Sequence, residues 1–386
     1  MLARRGVDGS MSGAGERGGG RAAVLAHDYL LVMRGAERVF SEMARMYPDA
    51  PIITLLYDER ATGAELAGHE VLTSPLQRLG AAQHNFRRLL PLYPWAVGRM
   101  RVPDCELLLS SSSAFMHGLR APAGAVHVCY CHAPFRYAWY EQQRALEETP
   151  APLRVPLRGL LAAMRRWDAA ASRRVDRYVA NSRLTQEQIA RFYGRKADVV
   201  HPPVDTERFR PREDAAPGEH LLIVSELVRH KRLDVALAAA RQAGAPIRVA
   251  GSGPEHDALA RAYPEAEFLG RVSDEQLELL YAQARAVLVP SMEEFGITAV
   301  EAQAAGRPVI AAAAGGALET VLDGATGRLV PLGDVRAFTA AISELDGLGL
   351  RPADAVSNAS RFSIEAFRRG LGDQIARALD AGARRR

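Results

Sequence analysis

The chain has 386 residues, more than one ordinary hydrophobic core accommodates, so two domains of about 150–200 residues each are expected. A composition of 48% hydrophobic and 24% charged residues is that of a globular protein, and no apolar run approaches the ~18 residues of a membrane span. The net charge of +4 is unevenly spread: residues 21–200 hold 24 Lys+Arg against 17 Asp+Glu, and residues 201–386 hold 22 against 26.

Residues 1–20 are rich in Gly and Arg without an apolar core, which predicts a flexible tail and not a signal peptide. Arg21–Ala26 reads as a short strand ending at His27-Asp28-Tyr29, and Arg34-Gly35-Ala36-Glu37 opens a helix through Met46, a strand, turn and helix suited to a nucleotide. Ile52–Leu56 is a second strand. The basic, proline-broken segment Leu76–Val102 follows, then a strand at Cys105–Leu109 that runs into a polar loop, Ser110–Ser113. Without a Gly-x-Ser-x-Gly elbow these serines are not read as nucleophiles. Ala125–Cys131 is a further strand, with Cys129 and Cys131 on one face. Lacking a second ligand pair at zinc spacing, they read as small buried residues and not as a metal site. Three cysteines in so long a chain also point to a reducing compartment, the cytoplasm.

Leu157–Arg174 is a basic amphipathic helix, Val175–Ala180 a last strand, and Asn181-Ser182 cap a helix through Tyr193. A first domain over residues 21–204 therefore closes at VVHPPV, and a linker over 205–220 carries Pro211 and Pro217. The second domain, 221–363, repeats the pattern. Leu221–Val224 leads to a loop holding Arg229, His230, Lys231 and Arg232, and Ile247–Ala250 leads to the turn Gly251-Ser252-Gly253-Pro254-Glu255. The apolar run Ala286–Val289 stops at Pro290-Ser291. An acidic loop with Glu293 follows, then a helix from Ile297 to Gly306 that carries Glu301. Such a helix start offers free N–H groups and the positive end of its dipole to a phosphate. Two carboxylates beside that cradle suit hydroxyls, and a nucleotide-activated sugar has both. Residues 364–386 form a terminal helix and tail.

The E-x7-E spacing of Glu293 and Glu301, with Phe295-Gly296 inside and A-x-A-x-G-x-P-V-I after it, resembles the signature of family 4 retaining glycosyltransferases. The H-D-Y-L opening resembles that of the same family, and His132-Ala133-Pro134-Phe135-Arg136-Tyr137-Ala138-Trp139 resembles members that build bacterial surface polysaccharides. The resemblance implies the α/β GT-B fold, two facing Rossmann-like domains with parallel sheets and a cleft between them, the terminal helix crossing back to the first. It implies donor binding by Gly35, Arg229, Lys231, Gly251, Glu293, Phe295, Gly296, Ile297, Thr298 and Glu301, and an acceptor side with His132 and Arg136. Glu293, His132 and Lys231 would take part in transfer. Two positions depart from the family pattern: Arg34 stands where a first Gly is usual, and Glu226 where an Arg is usual, so Arg229 or Arg232 is expected to supply the missing charge.

The expected partners are a GDP- or UDP-sugar, with GDP-mannose favoured, and a glycan or lipid-phosphate-linked acceptor. Nucleic acid is not expected. The basic first half suits peripheral contact with the inner face of an anionic membrane. With no Asp-x-Asp motif in the chain, neither a cofactor nor an obligatory metal is expected. A nucleotide-sugar epimerase and a non-catalytic partner subunit are the alternatives on the same scaffold.

Overall fold

The computed structural model describes residues 21–80, 86–212, 215 and 217–384. The expected tail, residues 1–20, lies outside them. Short apolar runs become strands wherever they can be covered on both faces, and the chain makes two all-parallel sheets.

The first sheet has seven strands: β1 (Arg21–His27), β2 (Ile52–Thr54), β3 (Val71–Thr73), β4 (Cys105–Ser112), β5 (Val126–Cys131), β6 (Arg177–Ala180) and β7 (Ala197–Val199), in the order β3-β2-β1-β4-β5-β6-β7. The second has six: β8 (Leu221–Val224), β9 (Ile247–Ala250), β10 (Glu267–Gly270), β11 (Ala286–Val289), β12 (Val309–Ala312) and β13 (Gly327–Val330), in the order β10-β9-β8-β11-β12-β13. Both orders reverse direction once, between β1 and β4 and between β8 and β11. At such a switch point the loops leaving adjacent strands part and open a crevice beyond the carboxyl ends.

Three of the differences between sequence reading and structure concern the elements of the first unit. Val175–Ala180 is not the last strand of its half, because Ala197–Val199 pairs with β6 at the sheet edge. Ser110–Ser112 are not loop; they continue β4, fully buried, in register with Cys129, Tyr130 and Cys131. The basic helix starts at Ala151 and not at Leu157, with Pro156 inside it.

Helices cover both sheets. Gly35–Met46 (α1) follows β1 and presents Val39, Phe40 and Met43 to an apolar cluster with Leu25, Leu109 and Tyr130. Ala151–Ala171 (α2) packs Leu161 and Met164 toward the other face. In the second unit, Leu233–Ala243 (α3) follows β8 and Ile297–Ala304 (α4) follows β11. Alanine supplies half of the buried residues of each of these two helices, which lets them lie close on the sheet. Pro352–Ser360 (α5) packs against α4. The last helix, Ile364–Ala383 (α6), returns to the first sheet: Phe367, Leu371 and Ile375 join the cluster of Leu25, Val128 and Tyr130, and Arg368 Nη2 donates to Glu42 Oε2 at 2.8 Å. Truncating a buried Phe or Leu of this kind costs about 2–5 kcal/mol. No helix among the described residues is long and apolar enough to cross a membrane.

Candidate active site

The carboxyl ends of the two sheets face one cleft of about 640 Å³, a size suited to a small organic ligand. From the first unit it is lined by the start of α1, Ser113 after β4, His132 after β5, Arg136 and Asn181. The second unit contributes Ser225 and Glu226 after β8, Lys231, Gly251, Pro290, Ser291, residues 293–298 and Glu301.

Two helix starts converge there. Gly296, the residue before α4, holds φ +89°, a left-handed conformation that glycine takes without a Cβ penalty, and it turns the chain from the acidic loop into the helix. Opposite, Gly35 begins α1, and a Cβ placed on it would lie 3.4 Å from Ile297 Cδ1. The first turns of both helices therefore leave N–H groups beside one space, where their dipoles favour an anion.

Four cations of the wall, Lys231, Arg136, Arg34 and Arg38, are each held by a carboxylate. Lys231 Nζ donates to Glu293 Oε2 at 2.5 Å, and Ser291 Oγ donates to Glu293 Oε1 at 2.5 Å. Arg136 Nη2 lies 3.1 Å from Glu294 Oε1, and Arg34 Nη2 lies 3.5 Å from Glu226 Oε1. Arg38 Nη2 donates to Asp274 Oδ1 at 3.4 Å. Three of these pairs join an arginine of the first unit to a carboxylate of the second. Burial opposes the Arg136 charge, but Glu294, Tyr140 and Glu141 around it more than offset that cost and raise its pKa.

Glu301 is buried in the second turn of α4 and accepts from Tyr281 Oη at 2.7 Å. Burial raises its carboxyl pKa, and the Tyr281 hydrogen bond acts in the opposite sense. His132 is also buried, its Nε2 2.8 Å from Ser111 Oγ. Burial first, and His27 second, lower its pKa to about 3, so the ring is neutral at physiological pH.

Of the residues expected to bind donor or acceptor, the structure brings Gly35, His132, Arg136, Lys231, Gly251, Glu293, Phe295, Gly296, Ile297, Thr298 and Glu301 to one cleft. Arg229 is the exception. It begins the short turn Arg229–Lys231, is exposed, and does not line the cleft; Arg232 does not line it either. Arg34 and Arg136 of the opposite unit do line the cleft, and Arg34 pairs with Glu226, which stands where the family has an arginine. Sequence reading also missed Asp28. Its carboxylate is buried and accepts four backbone N–H groups, from Ser113, Ala114, Phe115 and Met116, at 2.6–2.9 Å, which fixes the turn beside His132. The acidic residue after a strand was visible in H-D-Y, but its partners lie more than eighty residues away.

Two doubly wound parallel sheets whose carboxyl ends enclose a cation-lined, hydroxyl-compatible cleft constitute the GT-B architecture. Comparison with known proteins agrees. The family model for Glycosyltransferase Family 4 matches residues 33–208, and that for Glycosyl transferases group 1 matches residues 218–346. The D-inositol 3-phosphate glycosyltransferase of Mycolicibacterium smegmatis is 29% identical over 414 aligned positions, covering 97% of this chain and 91% of the relative. The Nocardia farcinica protein of the same name is 36% identical over 242 positions, 53% of each chain. Anabaena HepE in complex with UDP superposes with a TM-score of 0.70 at 18% identity, covering 92% of this chain and 99% of that one. Sucrose-phosphate synthase from Thermosynechococcus elongatus gives 0.72 at 18%, covering 94% and 100%. The chain belongs to the group 1, family 4 glycosyltransferases.

Buried neutral histidines give an acid-side prediction. His127, lowered to about 3 by burial and then by His117, behaves like His132. In the unfolded chain each takes a proton near 6.5, whereas the folded protein resists it until about 3. Stability is therefore complete above 6.5 and lost as pH falls toward 3. Urea midpoints measured between pH 4 and 7 should fall with acid, and less steeply in His127→Gln; equal slopes in variant and parent would refute the assignment.

Proposed function

We propose that this protein transfers a hexose from a nucleotide diphosphate sugar to a hydroxyl of a glycan or lipid-linked acceptor, with retention at the anomeric carbon. The observation that carries the reading is the convergence of two helix starts, Lys231 and Glu293 on one cleft. The diphosphate would take the place of carboxylates as the partner of Lys231, Arg34 and Arg136. Glu293, released from Lys231, would accept hydroxyls of the sugar, and Glu301 those of the ribose. Growing negative charge on the departing phosphate is stabilised by the lysine and by the N–H groups of α4. The departing phosphate oxygen, on the same face as the acceptor, is the group suited to take its proton. No step in this scheme needs a metal.

GDP-mannose is the favoured donor, on the likeness of the His132–Trp139 stretch to polysaccharide-building members, and a UDP-hexose is the second. The relatives' name adds a phosphorylated cyclitol to the acceptors worth testing, and the arginines of the first unit are complementary to such an anion. Nucleotide release by purified protein with GDP- and UDP-sugars, with and without acceptors and EDTA, tests the whole reading. Acceptor-dependent release that persists in EDTA is expected. Release without any acceptor dependence favours a hydrolase, interconversion of the nucleotide sugar without release favours an epimerase, and loss in EDTA removes the metal-free scheme.

Contact with an anionic membrane fits one exposed patch on the first unit. Arg78, Arg99 and Arg101 line a shared pocket, with Leu79, Leu92 and Trp95 exposed nearby. A cytoplasmic protein resting on the inner leaflet would place its cleft beside a lipid-linked acceptor. Co-sedimentation with phosphatidylglycerol vesicles should occur at low salt and weaken in the triple alanine variant of these arginines; indifference to all three removals would reject the patch.

A further inference from the structure

A line of polar side chains runs behind the cleft along the carboxyl edge of the first sheet. Parallel pairing sets His27 of β1 opposite Ser111 of β4 and Ser112 opposite Cys131 of β5, which brings His132 beside Ser111. Ser111 Oγ lies 3.0 Å from His27 Nδ1 and 2.8 Å from His132 Nε2. The rings are fixed by packing: His27 stacks on Phe40 with centroids 4.8 Å apart, and His132 meets Tyr130 edge-on at 5.2 Å. All three polar residues are buried.

One hydroxyl between two imidazoles has a single proton to give, so it donates to one ring and accepts from the other. Glu37 selects the direction. Its Oε2 accepts from the backbone N–H of Arg34 at 3.2 Å, and its Oε1 lies 4.0 Å from His27 Nε2. A carboxylate facing Nε2 favours the proton on that nitrogen and leaves Nδ1 of His27 bare. Ser111 then donates to His27 Nδ1 and accepts from His132 Nε2–H. The remaining nitrogen of His132, Nδ1, carries a lone pair and has no partner among the described residues. His132 itself lines the cleft with Ser113, Arg136 and Glu294.

We propose that Glu37, His27 and Ser111 are positioning residues that lock His132 in the tautomer whose bare Nδ1 accepts a hydrogen bond from a hydroxyl in the cleft. The assignment of that hydroxyl to the transferred sugar or to the acceptor alcohol rests on the glycosyltransferase reading; the tautomer does not. Because burial keeps His132 neutral, the lone pair is present throughout the physiological range.

Two measurements test this on the full chain. In protein labelled with ¹⁵N-histidine, long-range ¹H–¹⁵N correlations report which nitrogen of each ring is protonated, and His132→Gln assigns the signal. The expected pattern for His132 is a protonated Nε2 and a bare Nδ1. Ser111→Ala should mix the tautomers and lower kcat about tenfold, the effect of one lost hydrogen bond in orientation, while donor KM changes less than twofold. Ser111→Thr should restore both, and Glu37→Gln should shift the tautomer ratio without touching the cleft wall. A protonated Nδ1 in the parent protein, or an unchanged tautomer and full kcat in Ser111→Ala, overturns the proposal. Slowed hydrolysis of donor in the absence of acceptor would assign the hydroxyl to the sugar, and slowed transfer alone would assign it to the acceptor. Should the parent protein turn over no nucleotide sugar, the spectra still decide the tautomer, and only the function reading fails.

Discussion

Lys231→Ala should reduce kcat with the cognate donor by about 10²- to 10³-fold, the usual consequence of removing one preorganised group at a developing negative charge. Lys231 lies in the loop after β8, and its ammonium reaches across to Glu293 at 2.5 Å. Its loss has two effects of the same sign. The leaving phosphate forfeits its point charge, and Glu293 keeps only Ser291 as a hydrogen-bond partner, so an uncompensated carboxylate faces an incoming dianion. Lys231→Arg should recover part of the rate, since charge is kept while geometry changes. The pair is part-exposed, so the melting temperature should hardly move. Steady-state kinetics with the donor found by nucleotide release provide the measurement, and an alanine variant retaining a tenth of parental kcat would remove Lys231 from the chemistry.

A second large effect is expected from one methyl group. Gly316 lies against the acidic loop: a Cβ on it would sit 2.1 Å from the Phe295 carbonyl oxygen and 2.2 Å from Phe295 Cα. Those are backbone atoms, which cannot rotate away. Gly316 N–H also donates to the Glu293 carbonyl at 2.8 Å, and Glu293 and Gly315 form an isolated parallel bridge. Gly316→Ala must therefore push residues 293–296 toward the cleft, which moves both the carboxylate and the start of α4. A displacement of about 1 Å is enough to cost roughly 10²-fold in kcat/KM. Overpacking of about 1–3 kcal/mol should lower the melting temperature by roughly 2–10 °C. Gly372→Ala is the control, because a Cβ there meets nothing within 4 Å. Equal behaviour of the two variants in activity and melting would contradict the close approach described above.

Much of this site could be read before any coordinates. The stretch Ala286–Gly306 shows its strand, acidic loop and helix because a short apolar run, a positive-φ glycine and a helix-period segment follow one another within one local unit. The residues that such units carry at strand ends, Lys231, His132, Glu293 and Glu301, duly reach the cleft. What the sequence concealed is long-range. The serines after Leu109 look like loop by composition, yet flanking strands pair with them and bury them. Asp28 draws its donors from residues 113–116, and no local pattern announces that. Arg34 and Glu226 each look like damage to a motif; only their 3.5 Å separation across the cleft shows that they answer one another. Arg229 is a candidate because Glu226 replaces the family's arginine, but the short turn Arg229–Lys231 leaves it exposed.

The pairing of wall cations with the protein's own carboxylates has a consequence for selectivity. An unliganded cleft of this kind already contains surrogate anions, so a lone inorganic phosphate or a nucleoside monophosphate must displace them without offering contacts on both faces. Under the proposed scheme a diphosphate carrying a sugar would satisfy Lys231, Arg34 and Arg136 at once, while its hydroxyls would occupy the freed Glu293. Under that scheme the protein's own carboxylates would suppress competition from abundant small phosphates.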